Sequence, residues 1–231
     1  MVVRYVSKNK SEERGVTALL VLVGVLLFLP FVLVSYFYYN GLKKKYLDSS
    51  DAQRIHDTRR MFNTLTTFVM SSVLSAGVLT FGVWALLGGV LSVLGIDEAS
   101  VQGPILMFFT ALIFICFLYV EYLVARRIAV LSLGIVVDES KDLLVFPFEN
   151  KSSTLGDWLT LRAMKRLAYE DTVPLSAITK MTRGYGKELY VHGDFGSRGI
   201  FMSDKQKRDE VLAAVQELAG KKAMMTEIES Y

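Results

Sequence analysis

The stretch that decides the fold is VLSLGIVVDESKDLLVFPF, residues 130–148. Two apolar runs, residues 131–137 and 143–148, surround a polar turn at residues 138–142. Runs rich in β-branched and aromatic residues on both sides of a short polar turn are typical of a β-hairpin. The hairpin follows closely on an apolar run that is long enough to cross a bilayer. The sequence therefore predicts a membrane half that leads into a sheet.

The membrane half is defined by its uncharged runs. The 231 residues are 52% apolar with a mean hydropathy of +0.37, too hydrophobic for an ordinary soluble domain. Residues 16–39, 61–96 and 99–120 carry no charge, and each run exceeds the roughly 18 residues that indicate a transmembrane helix. We expect α-helical spans at about 16–39, 68–94 and 104–125, within a transmembrane region of residues 1–127. The first span is either a single crossing, which we favour, or a re-entrant hairpin bent at Pro30.

Two features of the spans have alternative interpretations. Small residues recur at four-residue spacing on two rows of the second span: Ser72, Ala76 and Thr80, then Ala85 and Gly89. Such rows let helices approach closely, so they predict packing within the chain or self-association into a homo-oligomer. Glu121, near the inner end of the third span, either snorkels to the interface, which we favour, or marks an ion path.

The distribution of basic residues predicts the orientation in the membrane. Segment 40–60 contains six Lys or Arg residues, whereas segment 97–103 contains none and carries Asp97 and Glu98. The positive-inside rule therefore places segment 40–60 and the C-terminal half in the cytoplasm, and segment 97–103 outside. Three full spans would put the basic N-terminal tail outside, whereas the re-entrant hairpin would keep it inside. We expect a multi-pass protein of the inner membrane.

The C-terminal half has the pattern of a small α+β domain. We predict a cytoplasmic domain at residues 128–220, able to fold by itself, and a tail at 221–231. A turn that leads into a strand is expected at 173–182, strands at 187–193 and 197–203, and a capping helix at 204–219. Ser203 and Gln206 form a capping-box pattern at the start of that helix. Apolar residues that recur every three positions predict a further short helix: Trp158, Leu161, Met164 and Leu167.

The order of these elements resembles the bacterial pleckstrin-homology-like (PH-like) domain found behind membrane helices. That family often carries an apolar-Pro-Leu-Ser-x-Ile step before a strand, and VPLSAI at residues 173–178 matches it. The resemblance covers about residues 128–219, and segment 149–171 departs from it by being longer than the usual connection. It implies a partly open seven-stranded barrel or curved antiparallel sheet capped by a C-terminal helix. It also implies a binding or scaffolding module without chemistry of its own.

A search for catalytic chemistry gives no candidate. His56, His192 and Cys116 have no metal-ligand spacing, and common hydrolase and phosphate-loop motifs are absent from the sequence. The kinase-like triplet at residues 194–196 lies between two predicted strands, so it predicts a turn. We therefore expect no enzyme activity, catalytic residue, metal or cofactor.

The candidate binding surface is a group of basic residues in predicted turns: Lys180, Arg183, Lys187 and Arg198. They are either ordinary solvated charges, which we favour, or contacts to anionic lipid headgroups. The formal charge of +3 does not point to nucleic acid.

The leading hypothesis is a non-enzymatic inner-membrane protein whose PH-like module binds a protein partner or the membrane surface, for example as an accessory subunit of a larger membrane assembly. One alternative is a small transport or channel component, with Glu121 and the small-residue rows along its path. Another is an exclusion protein that acts on a conjugation or phage-entry machine. The expected partners are membrane lipids, a membrane protein and, through the small-residue rows, a second copy of the chain.

Overall fold

The computed structural model describes residues 28–95, 99–149, 153–218 and 226–227. Residues 28–46 form helix α1, so the first part of the predicted span 16–39 lies outside the described residues. The elements of the N-terminal half that follow α1 are β1 (Ala52–Ile55), α2 (Thr58–Val93) and α3 (Ala99–Leu133). The C-terminal half contains β2 (Ile135–Asp138), β3 (Leu143–Pro147), α4 (Leu155–Leu159), α5 (Arg162–Leu167), β4 (Glu170–Pro174), β5 (Ile178–Arg183), β6 (Glu188–Gly193), β7 (Gly196–Phe201), α6 (Lys205–Leu218) and β8 (Thr226–Glu227).

The two long helices extend beyond the predicted spans. Helix α2 is continuous over 36 residues, about 54 Å at roughly 1.5 Å per residue, and contains both the polar start and the apolar run. Within the described residues one helix, Gly103–Leu133 of α3, is long and apolar enough to cross a membrane, and Trp84–Val93 of α2 is a shorter apolar segment. Helix α3 begins at Ala99, five residues before the predicted start of the third span, and Pro104 lies inside it.

The first sheet takes one strand from far away in the sequence. Its order is β1-β2-β3-β4, and all its pairs are antiparallel. Strand β1 comes from the basic segment between α1 and α2, and Ile55 lies opposite Ile135 in the ladder with β2. The whole α2–α3 helical pair is therefore inserted between two adjacent strands. An isolated segment 128–220 would lack this edge strand.

The second sheet and helix α6 enclose the main core. Its order is β7-β6-β5-β8, with antiparallel pairs except β5–β8, which is parallel. The core combines side chains from both sheets and α6, and its fully buried members include Leu144, Leu189, Val191, Ile200 and Val215. The expected antiparallel α+β fold with a C-terminal helix is confirmed at this level.

The two central strands of the first sheet, β2 and β3, are buried on both faces. The outer face of this sheet carries Val136 and Val145, which pack against Leu42 of α1 and against Val130 and Leu133 of α3. Strands covered on both faces have continuous apolar runs instead of alternation. This explains the continuous apolar runs of β2 and β3 on either side of the polar turn.

Gly134 joins α3 to β2 without a linker. Its φ is +78°, a left-handed conformation that favours glycine. A Cβ at this position would lie 2.4 Å from the Ile55 carbonyl oxygen. Residues 131–133, which the sequence assigned to the hairpin, are the last turn of α3. The helix therefore leads directly into the sheet.

Two local predictions differ in detail from the structure. The side chain of Asp204 accepts a hydrogen bond from the Lys207 N–H at 2.8 Å, so Asp204 caps α6 in place of the expected Ser203. Segment 149–171 contains two short helices instead of one, because the backbone of Leu161 is left-handed (φ 56°) and separates α4 from α5.

Candidate functional site at the helix–sheet junction

The four predicted basic residues do not share one face of the second sheet. Lys180 lies opposite His192, whereas Arg183 lies opposite the buried Leu189, and Arg198 lies opposite the buried Val191. Directly opposed residues in an antiparallel pair point to the same face. Arg183 and Arg198 therefore point to the core side, and Lys180 points to the other side. Lys187 is exposed in the β5–β6 turn.

Arg183 and Arg198 both have carboxylate partners. Arg183 Nε lies 3.3 Å from Asp209 Oδ1, and Arg198 Nε lies 3.2 Å from Asp171 Oδ2. Partly exposed ion pairs of this kind contribute on the order of 0–1 kcal/mol. Because its charge is shared with a neighbour, each pair attracts an external anion less than a single cation would. Joint action of the four residues stays a prediction.

The outer face of the second sheet carries a polar group around His192. Its Nδ1 lies 2.8 Å from Ser197 Oγ and its Nε2 lies 2.8 Å from Thr182 Oγ1, so both ring nitrogens meet hydroxyls. The Tyr190 ring stacks beside it at 6.4 Å between centroids. In the described part of the chain no three His, Cys, Asp or Glu side chains come close enough to hold a metal ion.

A group of three charged side chains lies where the helices meet the sheets. Glu149 Oε1 accepts hydrogen bonds from Arg60 Nη2 and, at 2.7 Å, from Arg127 Nη2. Arg127 Nη1 also donates to the carbonyls of Phe148 and Leu167, at 2.8 and 3.1 Å. We call Arg60, Arg127 and Glu149 the junction triad. It connects the first turn of α2 and the C-terminal part of α3 to Glu149, two residues after the end of β3.

The junction triad carries a net positive charge. Two guanidinium groups share one carboxylate, and all three side chains are mostly buried. Burial lowers the pKa of the Arg60 guanidinium to about 10, which leaves it charged at neutral pH. Arg60 Nη1 in addition donates to the Phe201 carbonyl at the end of β7. The junction therefore keeps a positive electrostatic potential beside its helices.

A second cluster surrounds Arg126, which directly precedes Arg127 of the junction triad. Its guanidinium lies 4.3 Å from the Tyr38 ring centroid, 5.7 Å from that of Tyr122 and 4.0 Å from that of Tyr169. It also donates to all three hydroxyl oxygens, at 2.6–3.2 Å. Such contacts combine cation–π attraction with hydrogen bonds. The cluster links α1 and α3 to the residues that precede β4.

Glu170 extends this cluster towards the end of α1. Its carboxylate accepts hydrogen bonds from Tyr46 at 3.0 Å and from Tyr38 and Lys45 at 3.4 Å. Burial raises the pKa of Glu170, but its hydrogen bonds and the Lys45 charge outweigh that effect and hold the pKa below its usual value. Glu170 is therefore an anchoring carboxylate for α1.

A cavity of about 480 Å³ lies beside the junction triad. Its walls come from α2, α3 and the pair α4–α5, which we call the α4–α5 insert. Phe68, Leu123, Trp158 and Leu167 supply apolar surface, and Arg127, Glu149 and several polar side chains of α2 line the cavity as well. A mostly apolar cavity with a few polar and charged groups suits an amphiphile.

The α4–α5 insert presents both apolar and basic side chains to the outside. Leu155 is 76% exposed and Trp158 is 46% exposed. Arg162, Lys165 and Arg166 are exposed too, whereas Met164 packs against Val124 and other residues of the helices. Asp157 is the one acidic residue of 153–169. Exposed tryptophan and leucine beside basic residues are typical of an element at a membrane interface.

The membrane features singled out in the sequence have mixed outcomes. Glu121 is buried in the structure, with 3% of its surface exposed, and its snorkelling to a membrane interface stays a prediction. Ala85 and Gly89 face outward from α2, whereas Ser72, Ala76 and Thr80 belong to a part of α2 whose side chains are not described.

The junction residues were not among the predicted site residues. The six basic residues of segment 40–60 had a sufficient explanation in membrane topology, and Arg60 was counted with them. The sequence signal that could have pointed to the junction was the departure of segment 149–171 from the PH-like pattern. Comparison of this chain with protein-family models, with curated proteins and with solved structures finds no match.

Proposed function

We propose that this chain is a non-enzymatic, multi-pass inner-membrane protein that holds a PH-like module against the cytoplasmic face of the bilayer and presents it to a protein partner. The observation that carries the proposal is the register between β1 and β2, with Ile55 opposite Ile135. Two hydrogen-bonded strands must lie on the same side of a membrane. The chain between them therefore crosses the bilayer an even number of times or not at all.

The character of α2 and α3 favours two crossings. Helix α3 contains the apolar segment Gly103–Leu133, and exposed apolar side chains line it: Met107, Phe108, Leu112, Ile115 and Leu118. Such a surface is unfavourable in water and suits lipid. Helix α2 accompanies α3, and Trp84 donates a hydrogen bond to Thr110 at 3.1 Å between them. With the predicted first span, this gives the three-span arrangement.

The strand arrangement supports a PH-like module. Strands β1 to β7 form two antiparallel groups in sequence order, and α6 packs on the core between them. In this proposal the α2–α3 pair is an insertion after the first strand of the module. The membrane helices are then part of the module's own connectivity.

The absence of a linker supports a scaffolding role. Gly134 alone separates α3 from β2, while the Arg126 cluster and the junction triad attach the sheet region to three helices. The module therefore has a set orientation relative to its helices. A module held in this way can present a chosen surface to a neighbour.

The β5–β6 turn is the surface that best suits a protein partner. Tyr185 is 88% exposed between two glycines, and Lys187 lies two residues further on. Tyrosine is enriched among the residues that dominate binding energy at interfaces. Replacing Tyr185 with a photoreactive phenylalanine analogue should capture a protein neighbour in cells, while the same analogue at Leu155 should not capture it.

Topology tests the membrane part of the proposal. Reporter fusions after residues 50 and 145 should give cytoplasmic signals, and a fusion after residue 100 should give an external signal. Signals from opposite sides of the membrane at residues 50 and 145 would contradict the proposal, because the paired strands β1 and β2 must lie on the same side. Capture from Leu155 but not from Tyr185 would refute the proposed partner surface.

A further inference from the structure

We propose that the junction cavity and the α4–α5 insert form a binding site for an anionic phospholipid of the cytoplasmic leaflet. An acyl chain would occupy the cavity, and the phosphate would lie against Arg162, Lys165 and Arg166. This inference rests on the proposed membrane location, and it adds a specific ligand and residues that membrane anchoring alone does not require.

The first argument is the level of the insert along α3. Met164 packs with Val124, and Leu123, Val124 and Leu167 line the same cavity. The apolar run of α3 ends at residue 120, and its first basic residue is Arg126. A span of about 20 residues fills the hydrocarbon core, so residues near 123–126 lie at the headgroup level. The insert therefore lies where lipid headgroups would be.

The second argument is the shape and composition of the cavity. Phe68, Leu123, Trp158 and Leu167 give it apolar walls, and its volume of about 480 Å³ lies within the range of small-ligand pockets. Such walls suit a hydrocarbon chain. The cavity is partly open to the outside, as a site filled from the surrounding leaflet requires.

The third argument is charge. The junction triad as a whole has a net charge of +1, and two of its members, Arg127 and Glu149, line the cavity. The insert adds three exposed cations, Arg162, Lys165 and Arg166, and a single acidic residue, Asp157. Within the described residues none of these three cations forms a salt bridge. A phosphate with a neutral or anionic headgroup complements this excess of positive charge. A zwitterionic lipid has the same acyl chains but a weaker attraction.

The chain contains a built-in reporter for this site. It has two tryptophans, Trp84 in α2 and Trp158 in the insert. In the variant Trp84→Phe, all tryptophan fluorescence comes from Trp158. Phospholipids with brominated acyl chains quench a tryptophan that they contact. The full-length protein in neutral detergent is titrated with brominated phosphatidylglycerol or with brominated phosphatidylcholine.

We expect phosphatidylglycerol to quench Trp158 at about tenfold lower mole fraction than phosphatidylcholine, since several cations act on one headgroup. The triple variant Arg162→Gln, Lys165→Gln, Arg166→Gln should lose this preference and keep the weaker quenching by both lipids. The matched control removes three cations from the second-sheet side, Lys180→Gln, Lys187→Gln and Lys205→Gln, and should keep the preference. Equal quenching by both lipids in the starting variant would overturn the proposal, as would loss of preference in the control.

A reciprocal variant separates this inference from the proposed function. Trp158→Phe leaves Trp84, which the membrane arrangement places in a lipid-facing span. Quenching of Trp84 with no quenching of Trp158 would refute the lipid site and leave the membrane proposal standing. No quenching of either tryptophan would refute both proposals.

Discussion

Replacing Gly134 with alanine tests the linkerless junction between α3 and β2. An L-residue at φ +78° costs about 1–2 kcal/mol relative to a right-handed conformation. The new Cβ would also lie 2.4 Å from the Ile55 carbonyl oxygen, so β1 has to move away from β2. Loss of two ladder hydrogen bonds adds about 1–3 kcal/mol at roughly 0.5–1.5 kcal/mol each. We expect Gly134→Ala to lower the free energy of unfolding by about 3 kcal/mol.

Gly95 provides a matched control for this substitution. Its φ is +73°, but nothing lies within 4 Å of a Cβ placed there. Gly95→Ala therefore has only the conformational cost of about 1–2 kcal/mol. The measurement is denaturant unfolding of the full chain in detergent, followed by hydrogen exchange of residues 52–55. Equal stability of the two variants, with unchanged protection of β1, would refute the close approach of β1 to Gly134.

Three further predictions concern the polar clusters. Glu149→Gln leaves two mostly buried guanidinium groups without a counter-charge, so we expect thermal unfolding to show a free energy of unfolding lower by about 3 kcal/mol. A loss below about 0.5 kcal/mol would contradict a buried triad. Arg126→Lys keeps the charge but loses the planar contact with three tyrosines, so we expect about 1–2 kcal/mol of destabilisation, and no change would contradict the cluster. Burial raises the pKa of Asp57, but hydrogen bonds from Ser203 and from the Arg60 N–H outweigh it and keep the pKa below its usual value. The contribution of Asp57 to the free energy of unfolding is complete above its unfolded-state pKa of about 4 and is lost as the pH falls through the lower folded-state pKa. Asp57→Asn should therefore reduce the difference in stability between pH 7 and pH 3. An unchanged difference would refute this.

Elements with local patterns could be predicted from the sequence. The β2–β3 hairpin has two apolar runs around a polar turn, and α6 has an apolar stripe of which Val211, Leu212 and Val215 are buried. Alternation of Leu189 and Val191 with polar residues indicated β6, and both are fully buried. Each of these signals lies within about a dozen residues, so no distant partner was needed to recognise it.

Strand β1 could not be predicted in the same way. Its sequence is AQRI, four residues with one buried side chain, in a segment whose basic residues already had a topological explanation. It becomes a strand because β2 offers a free edge, and that edge lies more than 75 residues away along the chain. The same limit applies to the junction triad, since Arg60 lies more than 65 residues from Arg127 and Glu149 along the chain. Periodicity carries no information on such long-range contacts.

The insertion of α2 and α3 between paired strands also gives a physical reason for the cavity. Neighbouring strands lie about 4.8 Å apart, whereas packed helices need about 8–10 Å between their axes. Helices that leave adjacent strands must therefore diverge at their base, and other side chains must fill the resulting wedge. Leu42 and Tyr46 of α1 pack against α3 and the outer face of the first sheet. The α4–α5 insert lies beside α2 and α3, and the cavity lined by Arg127 remains between them. The topology thus leaves a mostly apolar space next to the junction triad.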